Sequence, residues 1–208
     1  MIAEWLSPRI SSDLSLVSGF LTWIIILGWL WHSGWRVQRR YFIEVTQKPL
    51  SRNAIVWGAG IVGAVFFVAA QMRPGMPAVM TVAMIGALSA YVDACTHRLP
   101  NMYTVVMGIG VIVGTLIGCL ISPMWPERLV DFAVGALIWL VPVAILNRLP
   151  GGMGGGDVKL APVLGAMVAS VGLHAAVFAP ALPFVSAGLP APPESPLGPA
   201  PPPSRAPP

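Results

Sequence analysis

Two carboxylates carry most of the chemistry legible in this 208-residue chain. Asp157 follows Gly154-Gly155-Gly156 between two hydrophobic stretches, and Asp93 stands in Tyr91-Val92-Asp93-Ala94-Cys95-Thr96-His97-Arg98-Leu99-Pro100-Asn101. An ionisable group at the edge of a membrane span is costly, which makes function its first explanation. Two aspartates that meet can hydrolyse an amide: the ionised one takes a proton from water while the protonated one polarises the scissile carbonyl. Asp157 lies where a helix would begin and Asp93 near where one would end, so the helix dipoles favour Asp157 as the base and Asp93 as the acid. Such a pair titrates as a unit, and either role belongs to the pair as much as to the residue. The glycines are expected to reach backbone conformations closed to other residues and to leave room for a substrate backbone. The competing reading makes Asp157 a helix cap and Asp93 an interfacial charge paired with Arg98. It weakens if both residues reach one face of the membrane.

The rest of the chain must bring them there. Hydrophobic residues make up 56% and charged residues only 10%, far below the roughly 25% charged of soluble domains, so the chain reads as an integral membrane protein. At about 20 residues per crossing, it has room for about six helices. Six spans are expected, at Leu16 to Trp35, Ala54 to Gln71, Met76 to about Cys95, Met102 to Ile121, Leu129 to Leu146 and Val158 to Phe178. The first reads as a permanent span with its N-terminus outside, because Glu4 and Asp13 precede it and the cationic cluster follows it. With the segment from Arg36 to Arg52 inside, eight Lys and Arg fall on the inner side and four on the outer. That topology puts Asp93 and Asp157 on the same, cytoplasmic, face.

Other features set limits. The net charge of +4 lies between hydrophobic runs, so it orients the protein and does not point to nucleic acid. Cys95 and Cys119 are expected a bilayer apart, with no disulfide, and no cysteine or histidine spacing suggests a metal. Gly110, Gly114 and Gly118 recur on one helical face, a packing stripe, while Pro142 and Pro162 lie inside spans and are expected to kink them. From Pro180 onward 12 of 29 residues are proline, which reads as a disordered tail. The fold class is therefore an all-α polytopic bundle of about six transmembrane helices. Its regions are 1–75, two helices with a short basic loop; 76–178, the domain carrying both aspartates; and 179–208, the proline-rich tail.

The motifs Gly154-Gly155-Gly156-Asp157-Val158-Lys159-Leu160 and Asp93 with Leu99-Pro100-Asn101 resemble the two catalytic-aspartate motifs of the type IV prepilin peptidases. These are membrane aspartyl proteases of the GxGD type, and the likeness is greatest to the small members associated with tight-adherence pili. It covers about residues 76 to 178. The resemblance implies an aspartic endopeptidase, with Asp93 and Asp157 catalytic and Gly154, Gly155 and Gly156 forming the active-site loop, that removes the basic leader from prepilin or pseudopilin precursors. It implies the bacterial inner membrane, a cytoplasmic active site, no cofactor, and pilus or secretion assembly proteins as further partners. Bifunctional family members carry a methyltransferase region with paired cysteines; the loop at 36–53 has none, so N-methylation is not expected. Family members usually continue with hydrophobic sequence after the GxGD helix, whereas here proline takes over, although Leu182-Pro183-Phe184 resembles a late family motif.

Lys159, beside Asp157, could steady a developing negative charge or simply flank the membrane edge; His97 reads as a solvated loop residue and His174 as a packed one. Two other functions fit parts of the pattern. One is a catalytically inactive scaffold derived from the same fold; the other is a transporter with a carboxylate proton relay. The relay is disfavoured because no span has an acid near its centre.

Overall fold

The structure, a computed structural model, describes residues 8–70, 75–122, 124–150 and 154–179. The proline-rich residues 180–208, with Leu182-Pro183-Phe184, lie outside them. Among the described residues the chain is all helix: α1 (Pro8–Trp29), a π-helical turn (Leu30–Gly34), α2 (Trp35–Glu44), α3 (Arg52–Ala69), α4 (Met76–Thr96), α5 (Asn101–Ile121), α6 (Trp125–Asn147), α7 (Gly155–Val171) and α8 (Leu173–Phe178). Five of these stretches are long and apolar enough to cross a membrane: Ser12–Glu44, Arg52–Ala69, Met76–Thr96, Asn101–Ile121 and Trp125–Asn147. The protein is a multi-pass membrane helix bundle.

Two boundaries differ from the sequence expectation. The first span does not stop at Trp35, where hydropathy falls; it runs 33 residues to Glu44. At about 1.5 Å per residue that is roughly 50 Å, so one end projects past a hydrocarbon core of about 30 Å. Arg36, Arg39 and Arg40 therefore ride on a helix, and only residues 45–51 form a connection. The sixth expected span is divided at Gly172, which is extended (φ 164°, ψ 135°), into α7 of 17 residues and the short α8. The indole of Trp139 on α6 donates to the Ala176 carbonyl at 2.9 Å and so holds α8 against the bundle.

The core lies around α4. Met80, Met84, Ile85 and Val92 of α4 pack with Tyr103, Met107 and Val111 of α5 and with Ile26, Leu30, Ile55 and Ala59 of the first two spans. Gly114 of the expected stripe admits the α4 backbone at Ala78, where no side chain would fit. An unforeseen pair, Gly135 and Gly165, brings the α6 and α7 backbones equally close. Such close crossings let van der Waals packing hold helices together in lipid, where no hydrophobic force does so. α6 and α7 run unbroken through Pro142 and Pro162.

The π turn is also tied in. Its Gly34 carbonyl accepts from the hydroxyl of fully buried Tyr103 at 3.2 Å, and Trp29 meets the Tyr103 ring edge-on. Beyond it, buried Gln38 on α2 clamps the connection to α3: its Nε2 donates to Leu50 O at 2.9 Å and its Oε1 accepts from Leu50 N–H at 3.3 Å. Ser51 then caps α3, accepting from Ala54 N–H at 3.2 Å.

Candidate active site

Asp93 occupies the last turn of α4. The helix stops four residues later because His97 turns left-handed (φ 51°) and donates its N–H to the Asp93 carbonyl at 2.7 Å. The side chain of Thr96 donates back to Val92 O at 2.8 Å, which reinforces the same end. Pro100 stands at the N-cap of α5, its carbonyl accepting from the N–H groups of Tyr103 and Thr104. This tight connection lets Asn101, the first residue of α5, line one cavity with Asp93.

Asp157 lies in the first turn of α7, its N–H donating to Gly154 O at 3.1 Å. The three glycines before it do not need unusual backbone angles: Gly154 is extended (φ −66°, ψ 151°), and Gly155 and Gly156 are already helical. What the site uses is the missing side chain at Gly156, where a Cβ would lie 3.1 Å from Leu99 Cβ. Gly155 has open space around it, and a Cβ on Gly154 would meet only an Asp157 carboxylate oxygen, at 3.7 Å. Gly156 and Leu99 are thus one place where the two aspartate segments touch.

The two carboxylates line two cavities in common. The outer, of about 370 Å³, opens at the end of the bundle and is walled by Tyr41, His97, Arg98, Asn101, Lys159 and Gly154 to Gly156. The inner, of about 340 Å³, continues between α4, α5 and α7. Both aspartates are exposed, and neither forms an ion pair with a described residue.

The neighbouring cations are engaged elsewhere. Arg98 pairs with Glu44 on α2, not with Asp93, and Arg40 approaches the same Glu44 at 3.8 Å. Lys159 donates to Asn101 Oδ1 at 3.1 Å, tying α7 to the start of α5. His97 is exposed beside the outer cavity, as the sequence suggested. Tyr41 was not foreseen: it arrives on α2, from a cationic stretch whose sequence gives no sign that it is helical. Glu44 was hidden similarly, since 54 residues separate it from Arg98. Cys95 lies near the dyad end of α4 and Cys119 near the opposite end of α5, and both are free. Among the described residues no group of three or more His, Cys, Asp or Glu side chains converges as metal ligands would.

Two aspartates without an ion-pair partner among the described residues, one at a helix C-terminus and one at a helix N-terminus, can share a water and a peptide carbonyl between them. Comparison with known proteins bears on the same part of the chain. The sequence profile of the type IV leader peptidase family matches residues 78–189, which include all but the first two residues of α4, the whole of α5, α6 and α7, and both aspartates. No curated protein and no solved structure gives a significant match.

Proposed function

The chain belongs to the type IV leader peptidase family, and from that premise we propose that it is an aspartic endopeptidase that cleaves the basic leader from prepilin or pseudopilin precursors. The observation that carries the reading is the convergence of Asp93 and Asp157 on the same two cavities. In this reading the ionised aspartate takes a proton from a water held between the two. The water attacks the leader's last carbonyl, the protonated aspartate hydrogen-bonds the carbonyl oxygen, and a proton passes to the departing amine as the bond breaks. Asp157 is proposed as the base, because the N–H groups of α7's first turn favour negative charge there, and Asp93 as the acid. Gly154 to Gly156 give the peptide backbone access to Asp157, and Lys159 supports the loop through Asn101.

The proposed setting is the bacterial inner membrane, with the dyad facing the cytoplasm and residues 76–178 forming the protease region. The substrate's hydrophobic helix would stand in the bilayer beside the bundle. Co-expression of a prepilin-like substrate tests the proposal. Wild type is expected to process it, and Asp93→Asn and Asp157→Asn to lower processing by roughly a hundredfold or more. Equal processing by all three would reject the protease assignment; no processing by any of them would favour an inactive scaffold.

A further inference from the structure

The inner cavity differs in character from the outer one. It starts at the two aspartates and runs into the bundle between Gly86, Ser89 and Ala90 of α4, Met107 of α5, and Leu160 and Leu164 of α7. Gly86 is seven residues from Asp93 and Leu164 seven from Asp157, so the chamber reaches about 10 Å below the carboxylates along both helices. Its volume, about 340 Å³, is many times the roughly 30 Å³ share of a liquid water and falls within the range of ligand pockets.

One polar residue other than the two aspartates lines it. Ser89, one helical turn before Asp93, is only 2% exposed, and its hydroxyl has no hydrogen-bond partner. Its neighbours behave differently: the hydroxyls of Thr81, Thr96 and Thr115 each donate to the carbonyl four residues back. Helical serine and threonine ordinarily satisfy themselves in that way. A buried hydroxyl left without a partner costs stability, and an explanation is due for each one. Here the unused hydroxyl is buried on a residue that lines the same chamber as the two aspartates.

We propose that this chamber is a side-chain subsite: it takes the apolar side chain of the substrate residue adjoining the scissile bond, while the Ser89 hydroxyl hydrogen-bonds the substrate's backbone as that residue enters. The dyad stands at the junction of the two cavities. A bond cut there therefore has one flank in the polar outer cavity and the other in the apolar chamber. Gly86 sets the chamber's capacity. A Cβ added at Gly86 meets Met107 sulfur at an ordinary 3.7 Å, so a side chain can grow there without displacing the backbone. The inference rests on the proteolytic reading of the aspartates and adds to it where the substrate's side chain goes.

The test uses the full chain in membranes with prepilin-like substrates carrying Ala, Leu, Phe or Asp as the first residue after the scissile bond. Wild type is expected to cleave the Leu and Phe substrates best and the Asp substrate worst. Gly86→Leu should raise the ratio of kcat/KM for Ala over Phe roughly tenfold or more while still cleaving the Ala substrate. Ser89→Ala should lower kcat/KM roughly tenfold for the Leu substrate, chiefly through KM, with Ser89→Thr restoring part of it. An unchanged Ala-to-Phe ratio in Gly86→Leu, or an equal fall for all four substrates, overturns the subsite. A second readout needs no turnover: a substrate with photo-leucine at that residue should crosslink to residues 86–90 or 160–164 in wild type and in Asp157→Asn, and much less in Gly86→Leu. Crosslinks confined to other helices also overturn it. If Asp93→Asn and Asp157→Asn cleave like wild type, the aspartyl protease reading fails, whereas loss of their cleavage beside an unmoved ratio rejects the subsite alone.

Discussion

Gly156 holds the two halves of the site together more directly than either aspartate does. A methyl there would stand 3.1 Å from Leu99 Cβ, closer than side chains ordinarily pack, whereas Gly155 faces open space. Gly155→Ala is therefore expected to leave processing near wild type, Gly156→Ala to reduce it, and Gly156→Val to reduce it most. Overpacking of this kind costs about 1–3 kcal/mol, so a thermal melt in detergent should fall in the same order. If Gly155→Ala were as damaging as Gly156→Ala, the contact with Leu99 would not be what matters. The sequence exposes the glycines as a group, because their type and their place before Asp157 are plain. It cannot tell which one is needed for space, since that depends on Leu99, more than fifty residues away. Lys159 shows the same limit: its neighbour in sequence is Asp157, yet its ammonium goes to Asn101.

Among the elements, α2 departs most from what hydropathy suggests. A reading that follows apolar residues ends the first span at Trp35, because Arg36, Arg39 and Arg40 look like a loop. The helix persists to Glu44 because only one face of it is wet, with Gln38 and Phe42 buried on the other. Arg36 and Arg39 lie over the Trp35 ring, at 5.7 and 5.4 Å, which keeps their charges at the surface while their stems cover an aromatic face. Gln38 is the critical side chain here, as it satisfies both backbone groups of Leu50. Gln38→Leu is expected to cost about 1–3 kcal/mol for the groups left unpaired. The check is a lower melting temperature together with faster proteolysis within residues 45–51. A variant that melts like wild type and resists the protease would show that the clamp is dispensable. The spans of α3, α4, α5 and α6 were legible because long apolar runs separated by charged or proline-containing turns leave few other arrangements. The division of the last span was not, because residues on both sides of Gly172 are apolar.

At the scale of the molecule, the dyad end gathers the C-termini of α2, α4 and α6 with the N-termini of α3, α5 and α7. Cationic residues gather there too, which supports the proposed orientation with that end in the cytoplasm. Single cysteines introduced as Arg40→Cys at the dyad end and Glu127→Cys at the other, with Cys95 and Cys119 replaced by serine, test it. An impermeant thiol reagent should label the first in inverted vesicles and the second in intact cells. Labelling of both from the same side would contradict the topology. Which helix ends meet at the dyad followed from the order of the apolar runs, but the N-terminal share of the site did not: the family match begins at residue 78, yet Tyr41 lines the outer cavity and Glu44 holds Arg98 at its wall.

That share depends on the π turn at Leu30–Gly34, which sets the angular phase of everything after it. Each residue in an α-helix advances the chain by about 100°, and the π turn takes up one residue more than an α turn, so the same residues, run on as a plain α-helix, would swing α2 round its own axis by that amount. The membrane span would survive. Gln38 and Phe42 would leave the core, Tyr41 would leave the cavity, and Glu44 would lose Arg98. Insertion of one alanine after Ser33 should accordingly yield a protein that inserts normally and melts earlier, whereas deletion of Ser33, which removes the extra residue, should leave α2 in phase and the melt close to wild type. The extra residue works as a keyway: it fixes the one rotation at which a helix outside the family-matched segment meets the pair of aspartates within it.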